Sequence, residues 1–311
     1  MDSEAPVFAP RPMTLSELLD AVYRLYRRNF WLFAGVAAVV QVPYQLFLSF
    51  VQGQAHSLSQ VFSRLQTNPG TTAHVQVLFQ TYWQANALVV LVLILFGLLA
   101  LPLGLAAVTS AGADRYLDRQ SSIGLAFQVA RRRWLPVLGV FLLMAAIFLA
   151  GALTLATVGT ILILALKGFG AVLLTLLAIA AVVAGLVAYF RVIVAIPVVV
   201  LEPMGPLQAL QRSWGLSRRH TWLAFGVVVV LGLIVAILAF LLGLGAGLLA
   251  LALGGAGSLP GHLLIAAFTV VINVCATPVS ALGALLLYFN LRGRQGGPAV
   301  APMQGQPAFQ P

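Results

Sequence analysis

The sequence predicts an all-α, polytopic membrane protein whose six transmembrane helices form three parallel-repeat helical hairpins. Of its 311 residues, 61% are hydrophobic and only 8% are charged, whereas soluble domains carry about 25% charged residues. The apolar residues fall in runs long enough to cross a bilayer, and the basic residues gather at alternate ends of these runs. A cytoplasmic, interfacial, amphipathic helix is expected before each hairpin.

Six spans follow from the lengths of the apolar runs, because a membrane-spanning helix needs about 20 apolar residues. One run extends from Phe30 to Val51, and a second extends from Ala87 to about Ala111. Residues 134–201 and 221–291 are each long enough for two helices. Breaks within these two long runs are predicted at 167–170 and at 254–261, where glycines cluster.

The charged residues predict the orientation. The net charge of +10 comes from 17 basic and 7 acidic residues. In a soluble protein this balance would suggest a nucleic-acid partner, but here cytoplasmic loops rich in arginine explain it, and no nucleic acid is expected. One side of the six spans carries only Arg64 and Lys167, so the positive-inside rule places both termini in the cytoplasm.

A short amphipathic segment that ends in paired arginines precedes the first, third and fifth spans. The pairs are Arg27–Arg28, Arg131–Arg132 and Arg218–Arg219. Four residues before each pair stands an aromatic residue: Tyr23, Phe127 or Trp214. A tryptophan follows each pair: Trp31, Trp134 or Trp222. Arginine reaches lipid phosphates and tryptophan favours the membrane interface, so we predict that these pairs and tryptophans contact anionic headgroups. The alternative is that basic, aromatic helix ends are common to polytopic proteins.

Each even-numbered span contains a proline in its later half, and the three are Pro102, Pro197 and Pro278. A proline removes a helix hydrogen bond, so a kink is predicted at each. The repeat units are residues 14–118, 121–202 and 206–292, which together make a membrane domain at 13–292. Tails at 1–12 and 293–311 are predicted to be disordered. Units that run in the same direction imply a pseudo-symmetry axis along the membrane normal.

Arg191 is the informative polar residue of the spans, because it lies eleven residues before Glu202. A charge at that depth is costly unless it faces protein or meets a partner. In one interpretation it holds a lipid phosphate or an anionic substrate. In the other it caps carbonyls freed by Pro197 or Pro278, or bonds to Asn273. The candidate intramembrane polar site is Arg191 with Asn273 and Thr277.

The residues that carry chemistry are few. A single cysteine, Cys275, excludes an intrachain disulfide and Cys-rich metal sites. Asp114 and Asp118 are one helical turn apart, and could hold a metal or act as an acid–base pair. Pairing with the arginines around them is the preferred interpretation. No cofactor, metal site or catalytic residue is therefore predicted, and the chain is not expected to be an enzyme.

Two segments add a family resemblance to the six-span layout. These are Ala209-Leu210-Gln211-Arg212-Ser213-Trp214 and Leu285-Leu286-Leu287-Tyr288-Phe289-Asn290-Leu291-Arg292-Gly293-Arg294. With them the chain resembles bacterial proteins of the glycerophosphoryl diester phosphodiesterase membrane-domain family over most of residues 13–294. The resemblance implies the membrane region alone, in a bacterial plasma membrane, without the soluble catalytic domain that some members carry. No catalytic residue can be transferred to this sequence.

Three functions remain open at the sequence level. The favoured one is a non-catalytic, multi-pass membrane protein that organises membrane lipid or partner proteins, with anionic lipid at the cytoplasmic face as its predicted partner. The alternative is a lipid-handling or small-molecule transporter with a site near Arg191. No carboxylate lies deep in a span, which counts against ion-coupled transport. An intramembrane enzyme is the least favoured.

Overall fold

The computed structural model describes residues 13–66, 72–255 and 258–295, with the side chains of 50–86 and 167 outside that description. The described residues form nine α-helices and no strand. The helices are α1 (Leu15–Arg28), α2 (Phe30–Gln66), α3 (Thr72–Tyr116), α4 (Ile123–Arg132), α5 (Trp134–Val192), α6 (Ala195–Leu201), α7 (Pro206–Ser217), α8 (Thr221–Ala252) and α9 (Leu259–Arg294).

Six segments of these helices are long and apolar enough to cross a membrane, which confirms the predicted number and is compatible with a multi-pass membrane protein. They are Phe30–Ser49, Ala87–Tyr116, Trp134–Leu166, Gly168–Leu201, Thr221–Ala252 and Leu259–Arg294. Around the outer connection, α2 continues to Gln66 and α3 begins at Thr72. Helix therefore extends well beyond the apolar part of both segments.

Helix α5 contains the third segment and most of the fourth, and the chain folds back between them. A straight helix of 59 residues would be about 88 Å long, and residues eight apart in it would be separated by about 12 Å. Instead, Gly170 lies against the backbone of Leu162 and Ile163, so that a Cβ at this position would collide with the Leu162 carbonyl. The reversal coincides with the break that the sequence predicts at 167–170.

Pro197 interrupts the fourth span, because proline has no N–H and its ring crowds the carbonyl four residues earlier. Helix α5 ends at Val192 and α6 begins at Ala195, so the interruption falls at residues 193–194. The other two prolines behave differently, since α3 continues through Pro102 and α9 continues through Pro278. Of the three predicted kinks, the one at Pro197 breaks its helix.

The buried core lies where the last part of α3, the whole of α6 and the last part of α9 meet. In α3 and α9 the core residues lie beyond the proline of the span, whereas in the fourth span Val194 and Ala195, just before Pro197, are also fully buried. Val108, Val198 and Tyr288 are fully buried there. The described residues pack solidly at this end of the molecule. At the opposite end the helices expose large apolar side chains, such as Leu164 and Phe240.

Each of the three short helices α1, α4 and α7 packs on a long helix. Helix α4 packs mainly on α3, and α7 packs mainly on α5 and α6. Helix α1 packs mainly on α9 and then on α8. The arrangement is cyclic if the last pair of spans, α8 and α9, is counted as the pair before α1. Each short helix then lies on the second span of the pair before it: α4 on α3, α7 on the end of α5 with α6, and α1 on α9.

Hydrogen bonds join the start of α1 to the end of α9. The backbone N–H of Met13 donates to Asn290 Oδ1 at 3.0 Å, and Asn290 Nδ2 donates to the Met13 carbonyl at 3.1 Å. Arg294 Nη2 donates to the same carbonyl at 2.8 Å. The two ends of the described chain therefore lie on the same side. Helix α9 also extends two residues past the predicted domain limit at 292.

Candidate functional site

The short helices begin with caps and bury one face. Thr14 and Glu17 form the predicted capping box of α1, and Ser122 Oγ accepts from the Leu125 N–H at the start of α4. Arginine pairs occupy the last turns of α1 and α4, where the helix dipole favours positive charge. The residue five positions before the first arginine of each pair is buried in all three helices: Val22, Ala126 and Ser213.

The predicted interface tryptophans divide into two groups. Trp31 is 84% exposed and Trp222 is 85% exposed, and both lie in the first turn of a long apolar helix, three residues after an arginine pair. Trp134 is tied to the protein instead, because its indole Nε1 donates to the Leu99 carbonyl at 3.1 Å. Two of the three tryptophans are therefore free to contact lipid.

Donors from outside the helix reach backbone carbonyls near the three prolines. Leu99 lies three residues before Pro102, and Tyr26 Oη donates at 3.1 Å to the carbonyl of Cys275, three residues before Pro278. Sequence reasoning missed the donors Trp134 and Tyr26. The two accepting carbonyls stand at the same spacing, three residues before a proline. Burial raises the pKa of the Tyr26 hydroxyl above its usual range, so this group stays a donor.

The third donor is Ser213, whose Oγ donates at 2.8 Å to the Arg191 carbonyl, close to the break in the fourth span. The side chain of Arg191 stacks on Trp214, with its Cζ 4.8 Å from the ring centroid. Its Nε is buried and has no hydrogen-bond partner among the described residues. Helix α7 therefore supplies the neighbour of Arg191.

Asn273 and Thr277 form hydrogen bonds with residues other than Arg191. Asn273 Nδ2 donates to the Thr269 carbonyl at 2.9 Å, within its own helix. Thr277 Oγ1 accepts from Gln41 Nε2 at 3.0 Å, because α9 packs against α2. The structure does not bring the three residues of the candidate polar site together.

The reversal divides α5 into two arms, residues 134–166 and 168–192. A large apolar groove opens between these two arms, beside Arg191. It has a volume of about 1060 Å³ and is lined by Met144–Leu155 on one arm and by Ala181–Val192 on the other. Gln211 and Trp214 of α7 close one end. The groove thus combines an apolar wall with a cationic side chain that stacks on one of its lining residues.

Glu202 connects α6, α7 and α9. Its Oε1 accepts from Tyr288 Oη at 2.6 Å and from Arg292 Nη1 at 3.5 Å, and its Oε2 lies 3.8 Å from Arg212 Nε. Arg292 also donates to Tyr288 Oη at 2.6 Å. This carboxylate therefore acts as a structural acceptor for two arginines.

Asp114 and Asp118 occupy different environments. Asp114 is buried, and its Oδ1 has no hydrogen-bond partner among the described residues. Asp118 is exposed in the turn after α3. No group of three or more His, Cys, Asp or Glu side chains that could hold a metal occurs within the described ranges.

The fold and this side-chain arrangement define an all-helical protein with six membrane-length helices and a basic, tryptophan-bearing end. Comparison with protein-family models, with curated proteins and with solved structures finds no match. The resemblance to the glycerophosphoryl diester phosphodiesterase membrane-domain family therefore stays a prediction that rests on residues 209–214 and 285–294 and on the six-span layout.

Proposed function

We propose that this chain is a non-catalytic, multi-pass protein of the bacterial plasma membrane that organises anionic lipid around its cytoplasmic face. The exposure of Trp31 and Trp222, each three residues after a pair of arginines, is the observation that carries the proposal. An indole that is more than four-fifths exposed at the start of an apolar helix suits the headgroup level of a bilayer. Both ends of the described chain lie together, and partner proteins recruited at this face are a further part of the proposal.

Electrostatic attraction gives this face its preference for anionic lipid. Each arginine near an anionic membrane surface contributes about 1 kcal/mol of attraction. The side chains of Arg27, Arg131 and Arg218 are exposed, and no ion pair between described residues neutralises them. Several such residues around one end of a protein would enrich anionic headgroups in the lipid shell that surrounds it.

A threefold repeat explains why these residues recur around the protein. The buried position five residues before each arginine pair supports it, because Val22, Ala126 and Ser213 then occupy equivalent places. The packing of each short helix on the second span of the preceding pair also supports it. We accordingly propose three helical hairpins around one axis, each preceded by an amphipathic helix. We also propose that the chain is a member of the glycerophosphoryl diester phosphodiesterase membrane-domain family.

The test is the lipid that accompanies the protein out of the membrane. The full chain is extracted in native membrane patches, and the lipids are quantified by mass spectrometry. The triple variant Arg27→Gln, Arg131→Gln, Arg218→Gln should retain several-fold less anionic lipid relative to neutral lipid than the unsubstituted chain. The double variant Arg64→Gln, Lys167→Gln, on the proposed outer side, is the control. An equal loss in both variants, or no loss in either, would refute the proposal.

A second candidate function is lipid handling at the groove of α5. The groove is apolar and large enough for an acyl chain, and Arg191 offers an unsatisfied Nε next to Trp214. In this function a phospholipid places its chain in the groove and its headgroup beside Arg191.

A further inference from the structure

A separate cavity at the junction of α1 and the end of α3 is lined by four arginines. The four-arginine cavity is defined by Arg24, Arg28, Arg115 and Arg119, and Asn29 and Gln120 also line it. We infer that it binds a phosphomonoester group. This inference concerns a discrete pocket and is independent of the proposed organisation of lipid around the protein.

The two elements that form the four-arginine cavity hold their arginines in place. Arg24 and Arg28 are one helical turn apart on α1, so they lie on one face. Arg115 is in the last turn of α3, where its Nη2 donates to the Ser121 carbonyl at 2.9 Å. Its Nε is buried and lacks an acceptor among the described residues. The cavity is therefore lined by a guanidinium that is anchored to the backbone of Ser121.

A strained turn places the fourth arginine. Asp118 has a φ of 54°, the left-handed region in which a residue other than glycine is uncommon. Arg119 N–H then donates to the Asp114 carbonyl at 2.7 Å, and Asp118 N–H donates to the Arg115 carbonyl at 3.4 Å. These two bonds form a Schellman motif, which reverses the chain at the end of α3. The reversal directs Arg119 back to the cavity that Arg115 lines.

The charges of the cavity call for an anion. Its lining contains four arginines and one acid, Asp118. Among the described residues, none of the four guanidinium groups forms an ion pair. The carboxylate of the buried Asp114 is within electrostatic reach of Arg115 and Arg119. Four arginines and these two carboxylates together carry a net charge of about +2, which a dianion neutralises. A phosphomonoester carries about −1.5 to −2 at pH 7, whereas a phosphodiester carries a single charge.

The size and donor geometry of the cavity agree with this class of ligand. Its volume of about 340 Å³ is at the lower end of the range for small-molecule sites, about 300–1,000 Å³. Guanidinium groups bind phosphate oxygens through paired hydrogen bonds, and a monoester offers three terminal oxygens. A phosphate with a short organic substituent fits, and the substituent belongs either to a lipid or to a small soluble molecule.

The binding test uses the full chain in nanodiscs of phosphatidylcholine, which carries no net charge. Labelled inorganic phosphate is bound to the protein and then displaced with methyl phosphate or dimethyl phosphate. We expect saturable binding, with displacement by methyl phosphate at concentrations at least about tenfold lower than by dimethyl phosphate. Equal displacement by the two esters, or no saturable binding, would overturn the inference.

Variants locate the binding in the four-arginine cavity. Arg24→Gln and Arg119→Gln should each weaken phosphate binding about tenfold, the usual effect of losing a charge-assisted hydrogen bond. Arg133→Gln removes the same charge outside the cavity and should bind as the unsubstituted chain does. Asp118→Asn tolerates the left-handed backbone and removes a negative charge, so it should bind several-fold more tightly. An effect of Arg133→Gln equal to that of Arg119→Gln, or no change in any variant, would contradict the assignment.

A lipid arm identifies the source of the phosphate group. Nanodiscs in which phosphatidic acid is a minor component are compared with nanodiscs of phosphatidylcholine alone. Loss of labelled phosphate binding in the presence of phosphatidic acid assigns the site to a lipid headgroup. Unchanged binding assigns it to a soluble phosphomonoester. Because this measurement contains no other anionic lipid, it can fail while the proposed lipid organisation holds, and the reverse is also true.

Discussion

The sequence indicates that Arg191 needs a partner, but only the structure shows which residue that partner is. Its cost inside an apolar span is a local property, so the sequence alone marks it as informative. Its partner is not local, because Trp214 lies on another helix and meets it only through the packing of α7 on α5. The expected partner Asn273 instead uses its amide within α9. Composition predicts that a buried charge needs a partner, but packing decides which partner it has.

Replacing Arg191 tests the groove of α5 as a lipid site. Arg191→Leu should leave membrane insertion intact and reduce several-fold any phospholipid that remains with the purified protein in native membrane patches. Arg191→Lys retains the charge and is the matched control, so it should keep most of that lipid. Lipid retention unchanged in Arg191→Leu, measured by mass spectrometry, would leave the arginine with a packing role on Trp214.

Glu202 illustrates a residue whose role could be anticipated in kind but not in detail. The sequence places it at a helix end near arginines, and the structure pairs it with Arg212 and Arg292. The shortest contact, from Tyr288 at 2.6 Å, could not be anticipated, because 86 residues separate the two in sequence. Charge complementarity is visible in a sequence, whereas the approach of a neutral hydroxyl depends on the tertiary fold.

At the scale of elements, α9 packs against α3 at a glycine, Gly112. A Cβ at Gly112 would lie 2.5 Å from Leu282 Cδ2 and 2.8 Å from Leu285 Cδ2, closer than packed carbon atoms allow. Both leucines are fully buried. The absence of a side chain at Gly112 therefore determines how near the two core helices can come.

Gly112→Val should destabilise the protein by about 1–3 kcal/mol, because the added atoms force the two leucines out of their positions. Thermal unfolding in detergent, followed by helical circular dichroism, measures the effect. Gly151→Val is the matched control, because no atom lies within 4 Å of a Cβ at that position. Equal unfolding temperatures for the two variants would show that the α3–α9 contact does not limit stability.

The elements themselves differ in how far the sequence predicts them. The six spans are predictable because hydrophobicity is read from consecutive residues, and the reversal within α5 follows from the glycines near Lys167. The different outcomes at Pro102 and Pro197 were not predictable. All prolines lack the same N–H, so whether the helix continues depends on surrounding contacts, such as the indole of Trp134 that reaches the Leu99 carbonyl.

At the scale of the whole molecule, packing is concentrated at one end. The last parts of α3, α6 and α9 form a solid core beside the short helices, whereas the opposite ends expose apolar side chains. The bonds from Met13 to Asn290 and Arg294 place both ends of the described chain on the packed side. The positive-inside rule predicts that the packed side is the cytoplasmic side.

Cysteine labelling tests the predicted orientation. In a Cys275→Ala background, single cysteines are introduced as Ser3→Cys, Thr67→Cys or Gln304→Cys, and a membrane-impermeant maleimide is added to cells. Thr67→Cys should be labelled in intact cells, because it lies in the predicted outer connection. The other two variants should be labelled only after permeabilisation. The opposite pattern would invert the orientation, and the background without cysteine reports nonspecific labelling.

The contact between α1 and α9 also fixes an order of events during biosynthesis. Met13 and Asn290 are 277 residues apart in sequence. At about 5–20 residues per second, a ribosome needs roughly 14–55 s to synthesise that stretch. Until α9 has been inserted, α1 lacks its main neighbour, and its buried residues Leu18 and Val22 must be sheltered elsewhere. An amphipathic helix can rest in the membrane interface during this interval. The contacts between α1 and α9 can therefore form only after α9 has been synthesised.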